Sequence, residues 1–267
     1  MHDDKALPGS FGDATRTRFR VLGVEVDAMQ ISEVADQIEA WIKRRDACHF
    51  IAVTGMHGVM EAQHNAEFKA VLNAADLVVP DGMPLIWLGR LRGLRLQRRV
   101  YGPELMVNVC RHAASKGVRH FFFGGAPGIP GKVADTLRTR FPGLNVVGTY
   151  SPPFGPLRAE EETEIMEMIN AAAPDILWVG LSTPKQEWWM YRNRGQLRVA
   201  VLVGVGAAFD INSGMKQQAP VWMQEHGLEW FFRLLQEPRR LWRRYILYGS
   251  EFILYIALEL LRLRKSD

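Results

Sequence analysis

Apolar positions along the chain follow two periods in turn. Phe19–Val26 is β-branched and alternates, which predicts a strand. Ile31–Ile42 carries Ile31, Val34, Ala35, Ile38, Trp41 and Ile42 at helical spacing. The same spacing predicts helices over Val59–Leu72, Pro103–Ser115, Lys132–Phe141, Glu160–Ala172 and Gln186–Arg192. Short continuous apolar runs at Phe50–Val53, Leu77–Val79, His120–Phe123, Leu144–Val147, Ile176–Val179 and Val199–Val203 predict strands buried on both faces. Strands alternating with helices predict right-handed βαβ units, hence an α/β, Rossmann-like fold: a mostly parallel sheet with helices on both faces. Polar residues 1–17 read as a flexible leader. Turn chemistry at Asn212, Ser213, Gly214 and Pro220 marks a change of pattern. The core is therefore expected over 18–218, with a helical, aromatic and basic appendage over 219–267.

Composition narrows the class. The 267 residues are 48% hydrophobic and 23% charged, which excludes a disordered or fibrous chain. Two cysteines, Cys48 and Cys110, are too few for a disulfide framework or a four-cysteine zinc site and fit a reducing cytoplasm. Met1–Arg20 has no apolar core of the signal-peptide type. The net charge is +4, yet the stretch from Arg233 to Lys265 carries eight basic and three acidic side chains, so the rest is near neutral. That placement argues against a nucleic-acid surface across the body and asks what anionic partner the tail meets.

The tail has two readings. Trp222, Trp230, Phe231 and Phe232 precede Arg239, Arg240, Trp242, Arg243 and Arg244, and Tyr245–Leu261 is apolar apart from Glu251 and Glu259. This is short for a membrane span of about 20 residues. A helix lying on the inner leaflet, held by Arg233, Arg239, Arg240, Arg243 and Arg244, is one reading. A homo-oligomer contact is the other.

Ligands of open α/β sheets sit beyond the carboxyl ends of the strands, so the residues after each strand are the candidates. Gly124-Gly125-Ala126-Pro127-Gly128 could approach a diphosphate at a helix N-terminus, or be a tight turn; it matches neither a Walker loop nor G-x-G-x-x-G. Ser182-Thr183-Pro184-Lys185-Gln186 is a good helix start, and Lys185 and Gln186 could project to a ligand. Gly204-Val205-Gly206-Ala207-Ala208-Phe209-Asp210 leaves room for a ring or ribose, with Asp210 for hydroxyls, or serves close packing. Asp81, in Pro80-Asp81-Gly82, is either a turn residue or a general base, and Thr54 ends the neighbouring strand pattern. Glu25 and Asp27 read as a solvated strand face. His57, Glu61 and His64 share a helix face, as a polar surface or, without H-E-x-x-H, a zinc site to be tested.

Taken in order, six stretches resemble the WecG/TagA/CpsF family of bacterial sugar transferases, glycosyltransferase family 26. They are Leu22-Gly23-Val24, Ala75–Pro84, Arg99–Met106, Phe122–Gly125, Val179–Glu187 and Gly204–Gly214, spread over Arg20 to Tyr245. The resemblance implies a metal-independent, cofactor-free, inverting transferase. It would move a hexose, often N-acetylmannosamine or its uronic acid, from a UDP-sugar to a polyprenyl-diphosphate-linked sugar at the inner face of the cell membrane. It implies Asp81 as the base and maps the family's threonine and glutamine onto Thr54 and Gln186; the donor side is expected at Gly124, Gly125, Lys185, Gly206, Asp210 and Arg99. Gly55 and Met56 stand where the family carries proline and asparagine, so a UDP-glucose-type donor also enters. Apart from the resemblance, the competing classes are a nicotinamide-dependent oxidoreductase and a non-enzymatic nucleotide sensor on a membrane.

Overall fold

The computed structural model describes residues 16–155 and 157–261. Residues 1–15 of the expected leader, and Arg262, Arg264 and Lys265 of the basic tail, lie outside the described residues.

The expected first strand is a hairpin, β1 (Arg18–Val21) and β2 (Val24–Asp27), paired antiparallel. Leu22 and Gly23 both take positive φ, 49° and 82°, which turns the chain in two residues with the twist a hairpin needs. Asp27 is not solvated: it is buried, and its Oδ2 accepts the Val78 N–H at 2.8 Å. Arg18 pairs with the same carboxylate at 3.0 Å. The hairpin thus caps an edge strand of the main sheet.

After α1 (Ile31–Arg44) come β3 (His49–Thr54), α2 (Met56–His64), α3 (Ala66–Asn73), β4 (Leu77–Pro80), α4 (Met83–Leu91) and α5 (Gly102–Ala113). The single helix expected over Val59–Leu72 is two, because the Asn65 side chain caps the Phe68 N–H and restarts it. Then follow β5 (Arg119–Gly124), α6 (Ile129–Arg140), β6 (Asn145–Tyr150), α7 (Ala159–Ala172), β7 (Ile176–Gly180), α8 (Lys185–Asn193), β8 (Val201–Gly204) and α9 (Ala208–Asn212).

Six strands form one parallel sheet in the order β4-β3-β8-β7-β5-β6. Alternate residues feed two cores. Phe50, Ala52, Phe121, Phe123, Leu177 and Leu202 face one side; Ile51, Val53, Phe122, Trp178, Val201 and Val203 face the other. Both faces are covered, as the α/β, Rossmann-like expectation requires. The chain builds β3 and β4 on one side, crosses to β5 and β6, and returns through β7 and β8. The loops after β3, β4, β5, β7 and β8 therefore meet at one edge.

The segment after Ala219 folds back over that edge as α10 (Val221–Glu225), α11 (Glu229–Gln236), α12 (Pro238–Trp242), a π turn (Arg243–Leu247) and α13 (Tyr248–Leu260). Phe252 and Ile256 of α13 are buried with the core residues of one sheet face. Glu251 reaches His64 at 2.9 Å, and Glu259 pairs with Arg92 at 2.8 Å. His57 pairs with Glu61 at 3.3 Å and stacks near Tyr248. The His57, Glu61 and His64 face is thus the seat of α13. Among the described residues, no cluster of three or more His, Cys, Asp or Glu is arranged to hold a metal.

Candidate active site

Asp81 is placed by the close approach of two strand ends. Its N–H donates to the Thr54 carbonyl at 2.7 Å, one step past the β3–β4 ladder. A Cβ at Gly55 would sit 2.3 Å from the Asp81 carbonyl oxygen, so a glycine is needed there. Gly82 follows with φ of 154°, and Pro84 lies in the first turn of α4. The turn is structural, as a Pro-Asp-Gly sequence suggests, yet Asp81 lines a cavity of about 1860 Å³ at the carboxyl edge of the sheet. Its Oδ1 is buried and has no hydrogen-bond partner among the described residues. Burial raises its pKa to about 6, against the pull of Arg99; Glu229 adds to the rise, and Arg233 and Arg244 oppose it.

Around this acid stand cations from both ends of the chain. Arg99 pairs with Glu229, the first residue of α11, and lies 4.0 Å over the Tyr101 ring. Arg233 and Arg244 are half-buried and line the same cavity, as does Arg240. Burial pushes the Arg244 guanidinium down from its usual range, and its Nε is buried without a partner. Of the five tail arginines expected at a membrane, Arg233, Arg240 and Arg244 line the cavity. Arg239 and Arg243 are exposed, Arg243 stacking on Trp242.

Gln186 and Glu187, at the start of α8, clamp the opposite wall. The Gly206 N–H donates to Gln186 Oε1 at 2.9 Å, and Gln186 Nε2 donates to Glu187 Oε1 at 2.9 Å. Thr183 Oγ1 donates to the same Glu187 oxygen at 2.8 Å. Both side chains are buried, and burial raises the Glu187 pKa. This network fixes the amide of Gln186 and ties the β7–α8 loop to the β8–α9 loop.

The remaining candidates divide. Gly125, Lys185, Gly206 and Asp210 line the cavity. Lys185 lies 5.5 Å from the Phe154 ring, and Asp210 pairs with Lys216 at 2.7 Å. Gly124 and Thr54 do not line it. A Cβ at Gly124 would lie 2.6 Å from the Gly180 backbone, so that glycine serves loop packing. Thr54 is buried behind the wall, its Oγ1 against Gly58 and unpartnered. Glu229 was not legible in sequence: an acid in an aromatic stretch gives no sign that it will meet Arg99 some 130 residues away.

No helix among the described residues is long and apolar enough to cross a membrane. The profile of the Glycosyl transferase WecG/TagA/CpsF family matches residues 19–266. The chain is 34% identical over 195 residues to an N-acetylglucosaminyldiphosphoundecaprenol N-acetyl-beta-D-mannosaminyltransferase of Bacillus spizizenii, covering 73% of this chain and 74% of that one. It is 31% identical over 178 residues to the enzyme of the same name from Bacillus subtilis, covering 67% of each. A family match spanning the sheet, the Asp81 loop and the returning tail shows that the chain is a glycosyltransferase and belongs to the WecG/TagA/CpsF family.

Proposed function

We infer that the cavity transfers a hexose from a UDP-sugar to a hydroxyl of a lipid-diphosphate-linked sugar, in one inverting displacement. The observation that carries this is Asp81: a carboxylate at the sheet edge, with a buried unpartnered oxygen, facing Arg99, Arg233 and Arg244. A pKa of about 6 leaves it mostly ionised at neutral pH and still basic enough to take a proton. The acceptor oxygen attacks the anomeric carbon, its proton passes to Asp81, and the bond to the diphosphate breaks with its electron pair leaving on the nucleotide. One carboxylate suffices for inversion, since no covalent sugar forms. Glu229, engaged by Arg99, is not available as a nucleophile.

Negative charge grows on the departing diphosphate. Arg233 and Lys185 meet it in a partly dehydrated site. On this reading no divalent ion is required, and turnover persists in EDTA; activity lost in EDTA and restored by Mg²⁺ would overturn that part. Thr54 and Gln186 act through position, behind the wall and across the Gly206 loop.

The names of the relatives supply the substrate class: an N-acetylmannosaminyl donor and an N-acetylglucosamine diphospholipid acceptor. A cavity of about 1860 Å³ exceeds an ordinary one-ligand pocket and suits two substrates. Exposed Trp222, Trp230, Phe231, Leu235 and Trp242, beside Arg239 and Arg243, suit the inner leaflet of the membrane, where such an acceptor resides. The test incubates the enzyme with UDP-N-acetylmannosamine, its uronic acid or UDP-glucose and a synthetic lipid-diphosphate N-acetylglucosamine, read by mass spectrometry. The expected result is a product heavier by one sugar with one of the three donors. No transfer from any of them contradicts the proposal.

A further inference from the structure

The cavity continues past its charged cluster. One wall is a face of α4, with Met83, Trp87 and Leu91 at i, i+4 and i+8. The other is a face of the π turn and α13, with Ile246, Ile253 and Leu260 at intervals of seven. None of the α4 or α13 residues that line the cavity is charged. Trp87 is 50% exposed, Leu91 67%, Ile253 70% and Leu260 55%, which is unusual for large apolar side chains lining one continuous surface.

Polar pins dock α13 onto the body of the protein. Glu251 reaches His64 on α2, and Glu259 reaches Arg92, the residue that ends α4. Glu259 also accepts the Leu22 N–H at 3.3 Å. The two acids that interrupt the apolar stretch of sequence are thus spent on docking α13, and the face left toward the groove is uncharged. From Ile246 to Leu260 the wall runs about 20 Å at helical rise.

We propose that this groove between α4 and α13 holds the hydrocarbon chain of the acceptor, with its diphosphate at Arg240 and Arg244. The proposal rests on the transfer reading above and adds where the chain lies. Arg244 shares the π turn with Ile246, so the cation cluster passes directly into the apolar face, and both line the cavity that holds Asp81. A ligand with an anionic diphosphate joined to a long uncharged chain matches that sequence of surfaces. A peptide helix would bring backbone and polar side chains to a groove whose helical walls carry no charged partner.

The test compares two acceptors bearing the same N-acetylglucosaminyl diphosphate, one on a short water-soluble alkyl chain and one on a long isoprenoid chain in detergent. The readout is the ratio of kcat/KM for the long chain to that for the short. Ile253→Asp and Leu91→Asp place a charge on opposite walls, at exposed positions where folding tolerates it. The wild-type ratio is expected to exceed that of either variant by about tenfold or more, since apolar burial is lost in both. Comparing wild type with variant cancels the effect of the detergent. An unchanged ratio in both variants overturns the groove assignment while leaving sugar transfer standing. Weaker sedimentation with phosphatidylglycerol-containing vesicles at an unchanged ratio also overturns it, and makes the face a contact for bulk lipid. No transfer to either acceptor overturns the transfer reading, and this one with it.

Discussion

Replacing Asp81 by asparagine is expected to stabilise the folded chain. The carboxyl group has an ordinary value of 3.8 and is held at about 6, chiefly by burial. Each unit corresponds to about 1.36 kcal/mol, so carrying the charge at neutral pH costs folding roughly 3 kcal/mol at most. The side chain as a whole is only half-buried, and solvent screening brings the figure toward about 1–2 kcal/mol. The sign follows from linkage. The native state binds the proton at a higher pH than the unfolded state does. The penalty is therefore full above about pH 6, shrinks as pH falls toward 3.8, and is gone below it. Asparagine carries no charge and escapes the penalty. At about 2–4 °C per kcal/mol for a domain of this size, Tm rises by about 2–8 °C at pH 7.5. The gain narrows at pH 4.5. Thermal unfolding followed by circular dichroism at both pH values measures this. A lower Tm for Asp81→Asn at pH 7.5, or a gain of the same size at both pH values, refutes the reasoning. A residue kept at a cost to stability is what a functional role predicts.

The same group sets the acid side of the rate profile: kcat/KM should fall below about pH 6, to about a tenth of its plateau at pH 5. Glu229→Gln removes a like charge and releases Arg99, so that limb should move to lower pH; a limb that stays put contradicts the assigned electrostatics. Gly55→Ala drives a methyl group into the Asp81 carbonyl and should cost about 1–3 kcal/mol along with turnover, read by melting and by product formation. Gln186→Ala strands the Gly206 N–H and should cost about 1–3 kcal/mol, with a higher KM for the donor in steady-state assays.

The parallel sheet was legible because its strands are continuous apolar runs, and runs such as Phe121–Phe123 have no other home than between two helical layers. The hairpin was missed because Leu22 takes a positive φ that a leucine gives no reason to expect. Helix α4 was missed because Met83–Leu91, nearly all apolar, lacks the polar face that marks an amphipathic helix. For the site, Asp81 was legible as a carboxylate at a strand end. The doubled reading of the glycines resolves residue by residue: Gly125 and Gly206 line the cavity, while Gly124 serves packing. The tail was legible as basic and aromatic, but not in its fold. Linear spacing cannot say that Glu251 and Glu259 turn inward as pins, or that Arg233 and Arg244 return to Asp81 from more than 150 residues away.

The most direct measurement is sugar transfer by wild type and Asp81→Asn side by side, with UDP binding followed by calorimetry on the same preparations. The variant is expected to bind UDP with ordinary affinity and to turn over about 10²–10⁴-fold more slowly. Turnover near the wild-type rate, with UDP bound equally well, would remove Asp81 as the base and contradict the account at its centre.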